Sequence, residues 1–96
     1  MSRSTAIVRT EQASRYLQQL CKHWSHKMET EFDSENGTVT FPSGAVTTLH
    51  AEPANLEVRI DADGDETLDR LETVVADHLK RFAFREQLEF AWTRHS

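Results

Sequence analysis

The sequence has few of the residues that cross-link, bend or interrupt a chain. Its 96 residues include one cysteine, two prolines and three glycines. The single cysteine, Cys21, excludes an internal disulfide bond, and three scattered glycines exclude a glycine-rich phosphate loop. No apolar run approaches the roughly 20 residues of a membrane span. The N-terminal segment also lacks the apolar core of a signal peptide, so we expect a cytoplasmic protein.

Length and composition predict one small domain with a modest core. The 96 residues match the size of one domain, so we assign residues 1–96 to a single domain. Hydrophobic residues make up 38% of the chain and charged residues 28%, which is polar but not typical of a disordered chain. Two tryptophans, five phenylalanines and one tyrosine supply the bulk that such a core needs.

Charge is segregated along the chain, although the net charge is only −5. Residues 1–28 carry five lysines and arginines against one acidic residue, and residues 79–96 carry four against two. Residues 29–78 carry thirteen acidic residues against two arginines. Because this acidic middle would repel phosphate backbones, we expect no nucleic-acid partner. The two basic ends would form an anion site if they meet in space.

Two segments have the apolar spacing of amphipathic helices. We predict the first helix over residues 11–27, with Thr10 as its N-cap. We predict the second over residues 65–83, where Asp63 and Glu66 have the spacing of a capping box. The two apolar stripes consist of Ala13, Leu17, Leu20 and Trp24, and of Leu68, Leu71, Val75, Leu79 and Phe82.

The remaining segments have the alternation of β-strands. We predict strands over residues 5–9, 28–32, 38–41, 45–51, 56–60 and 88–92. The Asn36-Gly37 pair predicts a tight hairpin turn, and the mixed pattern of residues 45–51 allows a bulge. The order is β-α-β-β-β-β-α-β. We therefore expect a two-layer α+β fold, with a mainly antiparallel sheet and both helices on one face.

The spacing of Cys21, His23 and His26 resembles that of a metal-binding motif, but the geometry of a helix argues against such a site. Cys21 and His23 would point roughly 160° apart on a helix, so they cannot hold one ion together. His23 and His26 would be neighbours, but they would need a further ligand such as His78 or His50. Metal binding by His23, His26 and His78 is therefore a weak alternative, and we expect no cofactor.

A second group of residues favours an anion site between the helices. His78 lies on the flank of the second helix, and Arg81 and Arg85 continue along that flank. A histidine with two guanidinium groups nearby can clamp a carboxylate or phosphate. Lys22, His23 and Lys27 would complete the site if the helices lie side by side. The structural alternative is a histidine that only packs at the edge of the core.

Two segments resemble a known family. Residues 14–27 (SRYLQQLCKHWSHK) and 76–88 (ADHLKRFAFREQL) are similar to an uncharacterised bacterial domain family that has no established activity. Its members are similar to modules fused to siderophore-interacting, flavin-dependent ferric reductases, so the resemblance implies a link to iron handling. The family pattern falls on residues already singled out, namely Cys21, His23, His26, His78, Arg81, Phe82 and Arg85.

These observations support three hypotheses about function. The first is a small non-enzymatic binding or accessory module that holds a small anion or iron chelate between the two helices, at His23, His26, His78, Arg81, Arg85 and Lys22. The second is homodimerisation, or docking on a flavin-dependent ferric reductase, through an apolar patch of Phe84, Phe90 and Trp92. The third and least favoured is a small enzyme with a histidine as general base.

Overall fold

The computed structural model describes residues 2–95, and its elements follow the predicted order β-α-β-β-β-β-α-β. The helices are α1 (Ala13–Trp24) and α2 (Asp65–Phe82). Within the described residues, neither helix is long and apolar enough to cross a membrane. The strands are β1 (Ser2–Arg9), β2 (Glu29–Phe32), β3 (Asn36–Thr40), β4 (Val46–Ala51), β5 (Asn55–Ala62) and β6 (Thr93–His95).

The six strands form one antiparallel sheet in the order β2-β3-β4-β5-β1-β6. Strands β2 to β5 form a meander, and β1 pairs with β5 along its whole length. The short β6 pairs with the other side of β1. α1 packs on β2 to β5, and α2 packs on β5 and β1. The expected two-layer α+β fold, with both helices on one face, is confirmed.

The core lies between the helices and the covered face of the sheet. Leu17 and Leu20 of α1, Leu56 of β5 and Leu79 of α2 have no exposed surface. Full burial of each such side chain contributes about 1.5–3 kcal/mol. The side chains on the other face, which we call the open face, are mostly polar because no layer covers them. They include Arg3, Thr5, Ile7, Thr48, His50, Glu57 and Arg59.

The ends of α1 differ from the prediction. The helix does not reach residues 11 and 27, and Thr10 is not its N-cap. The Thr10 hydroxyl instead accepts a hydrogen bond from the Gln12 N–H in the turn before the helix. At the other end, the Ser25 hydroxyl donates to the Lys22 carbonyl. Such a local bond competes with the helical ladder, which explains why the helix stops at Trp24.

The start of α2 also differs in its chemistry from the prediction. The helix matches residues 65–83 to within one residue. However, the capping residue is Gly64, with φ at 117°, and no side chain of residues 2–95 caps the helix. The predicted capping box is therefore wrong. Asp65 and Glu66 still lie in the first turn, where negative charge interacts favourably with the helix dipole.

Asn36 and Gly37 do not form the predicted hairpin turn, because both lie in β3. The turn is built by Asp33, whose carboxylate accepts the N–H groups of Asn36 and Glu35. These bonds lower the pKa of Asp33. Gly37 is required for packing and not for a turn, because a Cβ atom at this position would lie 2.7 Å from the sulfur of Cys21. The glycine allows α1 to approach β3 closely.

The mixed pattern of β4 comes from a buried threonine and not from a bulge. β4 pairs with β5 without interruption, from Val46 opposite Asp61 to Ala51 opposite Leu56. Thr47 lies fully inside, and its hydroxyl has no hydrogen-bond partner among residues 2–95. A polar residue at a core position is what made the inward face ambiguous in the sequence.

The predicted strand over residues 88–92 is wrong, because the paired strand is the later β6. Leu88 is nevertheless buried, and Phe90 and Trp92 pack against the core. Their rings stack with centroids 5.8 Å apart, and the Lys80 ammonium lies 5.7 Å from the Phe90 centroid. The segment alternates in burial as a strand would. It does so by packing on the core, and within residues 2–95 no backbone hydrogen bond joins it to the sheet.

Candidate functional site

α1 and α2 lie side by side, and their predicted flanks form a seam. The ring centroids of His23 and His78 are 5.5 Å apart. Phe82 lies 6.0 Å from His23, and Trp24 lies 5.1 Å from His78. The start of α1 meets the end of α2, so the helices run in opposite directions along the seam. The structure therefore brings together two of the predicted site residues, His23 and His78.

His78 is oriented by its own helix. Its Nδ1 atom lies 2.7 Å from the Val74 carbonyl oxygen. Because a carbonyl only accepts, Nδ1 carries the proton, and the lone pair of the neutral ring is on Nε2. Neither His78 nor His23 forms a hydrogen bond with a carboxylate within residues 2–95. The seam thus presents two imidazole rings among aromatic neighbours.

Arg85 lies further along the seam, in a pocket of about 380 Å³. We call this the helix-end pocket, because it lies between the start of α1 and the end of α2. Arg15 lines it from α1, and Phe84 lies under the Arg85 guanidinium at 5.4 Å. Neither arginine has a carboxylate partner within 4.0 Å in the described part of the chain. The full lining is Gln12, Arg15, Tyr16, Phe82, Phe84, Arg85 and Glu86.

The one acid in the helix-end pocket, Glu86, is engaged by two hydroxyl groups. Tyr16 donates to Glu86 Oε2 at 2.5 Å, and Thr10 donates to the same oxygen at 3.1 Å. Burial, with help from the hydrogen bond to Glu86, raises the pKa of Tyr16 to about 12, while the charge of Arg15 opposes the shift. Tyr16 is therefore a neutral donor at physiological pH. Both hydroxyls bind the same oxygen of Glu86, and neither arginine pairs with this carboxylate within residues 2–95, so the two guanidinium groups remain available to a ligand.

Three of the predicted site residues are not among those that form the ring contacts of the seam. His26 is exposed in the turn after α1, and Arg81 is exposed on α2. Lys22 lines a groove on the outer side of α1. No hydrogen bond or ion pair joins their side chains to His23, His78 or Arg85 within residues 2–95. His50 lies on the open face and so is separated from the helices by the sheet.

Cys21 is a core residue. It is fully buried under α1, and burial raises the pKa of its thiol to about 11. The reactive thiolate is therefore disfavoured at physiological pH. The aromatic residues of the predicted docking patch also separate, since Phe84 lines the helix-end pocket while Phe90 and Trp92 pack on the core.

Arg15 and Tyr16 line the helix-end pocket but were not among the predicted site residues. Arg15 precedes Gln19 and His23 at intervals of four residues, which places all three on one flank of a helix. That spacing is the signal that would have added Arg15 to the site. The contact of Tyr16 with Glu86 joins residues far apart in the chain, so no local pattern could reveal it.

Comparisons with known proteins place the chain in a family. No curated protein matches it. Among solved structures, it is similar to one described as the NMR structure of PA4090 from Pseudomonas aeruginosa, with 43% sequence identity and a TM-score of 0.82. The match covers 97% of this chain and 96% of that one. Residues 5–93 match the family described as "Uncharacterized protein conserved in bacteria (DUF2218)". The chain therefore belongs to the DUF2218 family of uncharacterised bacterial proteins.

Proposed function

We propose that this protein is a non-enzymatic binding module that holds a small anion in the helix-end pocket. The observation that carries the proposal is the convergence of Arg15 and Arg85, neither of them ion-paired within residues 2–95, on one cavity of about 380 Å³. Two guanidinium groups are the side chains best suited to hold carboxylate or phosphate oxygens, because each can donate two parallel hydrogen bonds.

The walls of the pocket favour an anion with a planar or apolar body. Tyr16, Phe82 and Phe84 line it beside the two arginines. The volume lies near the lower end of the 300–1,000 Å³ that is usual for ligand pockets. It suits a single small acid, or one acidic arm of a larger ligand. His23 and His78 extend this surface along the seam, next to Phe82.

An iron chelate is the more specific ligand that we propose for this pocket. The support is the resemblance of the chain to modules fused to siderophore-interacting ferric reductases. Many ferric chelates carry carboxylate or catecholate arms, and one such arm is of the size that the pocket would hold. In this proposal the two arginines bind the arm, while the bulk of the chelate stays outside and faces the seam histidines.

The test is a thermal-shift titration with phosphate, citrate and ferric citrate at constant ionic strength. A ligand that binds only the folded state must raise the Tm. We expect Arg15→Gln and Arg85→Gln each to weaken binding about tenfold, since a hydrogen bond to a charged group contributes about 1.5–3 kcal/mol. Arg70→Gln, which removes an exposed charge of α2, is the matched control and should bind like the wild type.

The outcomes of this titration separate the general proposal from the specific one. A Tm rise with all three anions, lost in both pocket variants, supports anion binding. A rise that is much larger with ferric citrate supports the iron chelate. An unchanged Tm with every anion, or equal rises in the wild type and the pocket variants, would contradict the proposed function.

Docking on a partner, or homodimerisation, is the second candidate function. The observation in its favour is Phe84, which is 78% exposed although it is large and apolar. Light scattering of the wild type and of Phe84→Ser tests it. A dimer that dissociates in Phe84→Ser would support this candidate, while a monomer in both proteins would count against homodimerisation. Docking on a ferric reductase would require binding to that enzyme and its loss in Phe84→Ser.

A further inference from the structure

A cluster of metal-ligating side chains lies on the open face, away from the helices. His50 of β4 stands directly opposite Glu57 of β5, and Glu52 lies in the turn that joins the two strands. One ligand atom from each of the three residues lies within 4.8 Å of the other two. The turn is held by a hydrogen bond from the Glu52 N–H to the Asn55 carbonyl, at 2.8 Å. The three side chains are thus presented by one well-paired hairpin.

A residue outside the cluster orients the imidazole of His50. Asn36 of β3 is the cross-strand partner of His50 on its other side. The His50 Nδ1 atom lies 2.9 Å from the Asn36 side-chain oxygen. An amide oxygen accepts, so Nδ1 holds the proton and Nε2 is left with the lone pair. Protein histidines that bind metals are held in this way, with the other ring nitrogen donating to an oxygen.

The two carboxylates of the cluster favour the binding of a positive charge between them. Glu52 and Glu57 lie within a few ångströms of one another, and like charges at that distance repel. A divalent cation between them would turn this repulsion into attraction. A single imidazole with two carboxylates is a donor set that suits zinc and related transition metals better than the all-oxygen preference of magnesium or calcium.

We propose that His50, Glu52 and Glu57 form a binding site for a divalent transition-metal ion such as Zn²⁺. Ligands at 2.0–2.2 Å from a tetrahedral zinc lie about 3.4 Å apart. The exposed side chain of Glu52 closes the remaining distance when the ion binds. Three protein ligands leave one coordination position for water or another small ligand. A cavity of about 500 Å³ on the open face adjoins His50 and Glu57 and gives that position access.

The test is calorimetric titration of the untagged, metal-free protein with ZnCl₂. We expect one ion per chain, with an affinity that falls at least about tenfold in His50→Ala and in Glu57→Gln. The matched control is His78→Ala, which removes a histidine of the helix seam and should bind zinc like the wild type. MgCl₂ should give no binding, since the site offers an imidazole in place of a third oxygen ligand.

Several outcomes would overturn this proposal. One is the absence of saturable zinc binding, and another is an equal zinc affinity in the wild type and in both hairpin variants. A third is loss of zinc binding in His78→Ala, which would place the ion in the seam. Circular dichroism shows whether His50→Ala is folded, and Glu57→Gln decides the question if it is not. The metal site is independent of the helix-end pocket, so Arg15→Gln should bind zinc normally.

Discussion

The contact of Gly37 with Cys21 determines how closely α1 can lie on the sheet. A methyl group on residue 37 would meet the Cys21 sulfur at 2.7 Å and a Leu17 methyl carbon at 3.2 Å. Both neighbours are fully buried and have little room to move. We predict that Gly37→Ala lowers the free energy of unfolding by about 1–3 kcal/mol, as overpacked cores do. Urea denaturation measures the difference.

A double-mutant cycle tests whether the sulfur causes this loss. Cys21→Ala removes the sulfur and leaves room for the new methyl group. The double variant, Gly37→Ala with Cys21→Ala, should therefore lose less stability than the sum of the two single variants. Strict additivity would show that the steric contact is not the cause.

The hydroxyl of Tyr16 gives stability a particular pH dependence. Burial and the hydrogen bond to Glu86 raise its pKa from 10.0 to about 12. Between these values the unfolded tyrosine is ionised while the folded one keeps its proton, so the folded state binds more protons. Stability from this group is complete below pH 10, and we predict that it falls as the pH rises from 10 to 12.

The measurement is the free energy of unfolding from denaturant titrations across this alkaline range. Tyr16→Phe keeps the ring but lacks the ionising group, so its stability should fall less steeply with pH than that of the wild type. Parallel curves for the two proteins would mean that Tyr16 is not the group responsible.

Among the secondary-structure elements, β6 depends most on side-chain bonds, because it is only three residues long. Arg94 of β6 bonds to Glu72 at 2.9 Å and also to Asp69, both on α2. Ser4 of β1 donates to the same Glu72 carboxylate at 2.6 Å. This network ties the C-terminal strand to a helix and to its neighbouring strand.

We predict that Arg94→Gln frees β6 from the sheet edge with only a small loss of global stability, because ion pairs between exposed side chains contribute little. Hydrogen exchange measures the release of β6 directly. The amides of Thr93–His95 should lose their protection, while those of β5 should keep theirs. Arg70→Gln on α2 is the control. Unchanged protection of β6 in Arg94→Gln would show that backbone pairing alone holds the strand.

Periodicity predicted those elements in which one face meets the core and the other meets water. α2 and β5 are the clearest cases, because their buried residues recur at regular helical or alternating spacing. Residues 88–92 also alternate in burial, yet they pair with no strand. The burial of a segment determines the spacing of its apolar residues, which can be seen in the sequence. Its hydrogen-bond partner depends on which sheet edge lies next to it in the fold, which the sequence pattern does not show. That is why β6 was misplaced.

For the whole molecule, the charge pattern left an anion site open only if the two basic ends meet, and one residue from each end lines the helix-end pocket. Arg15 comes from the first basic segment and Arg85 from the last. The sequence could not fix the contact register of the two helices, which depends on how their side chains interlock. For that reason the sequence could not show that His26 and Arg81, near neighbours of seam residues in the chain, take no part in the ring contacts of the seam.

The two proposed sites lie on opposite faces of the sheet, so we predict that they act independently. The helix-end pocket is in the helical layer, and the His50 cluster is on the open face. Sites without shared residues or a moving element between them should show no coupling free energy. The Tm rise with zinc and citrate together should therefore equal the sum of the rises with each ligand alone, once the binding of citrate to zinc has been taken into account. A combined rise far from the sum would reveal coupling through the sheet.

The most direct test of the proposed function is an NMR titration of the ¹⁵N-labelled protein with citrate. Binding in the helix-end pocket predicts saturable shift changes at the amides of residues 12–16 and 82–86, and their loss in the Arg15→Gln, Arg85→Gln double variant. Amides of β4 and its hairpin with β5 should stay unchanged. Shifts that do not saturate, or that centre on the open face, would contradict the assignment of the pocket.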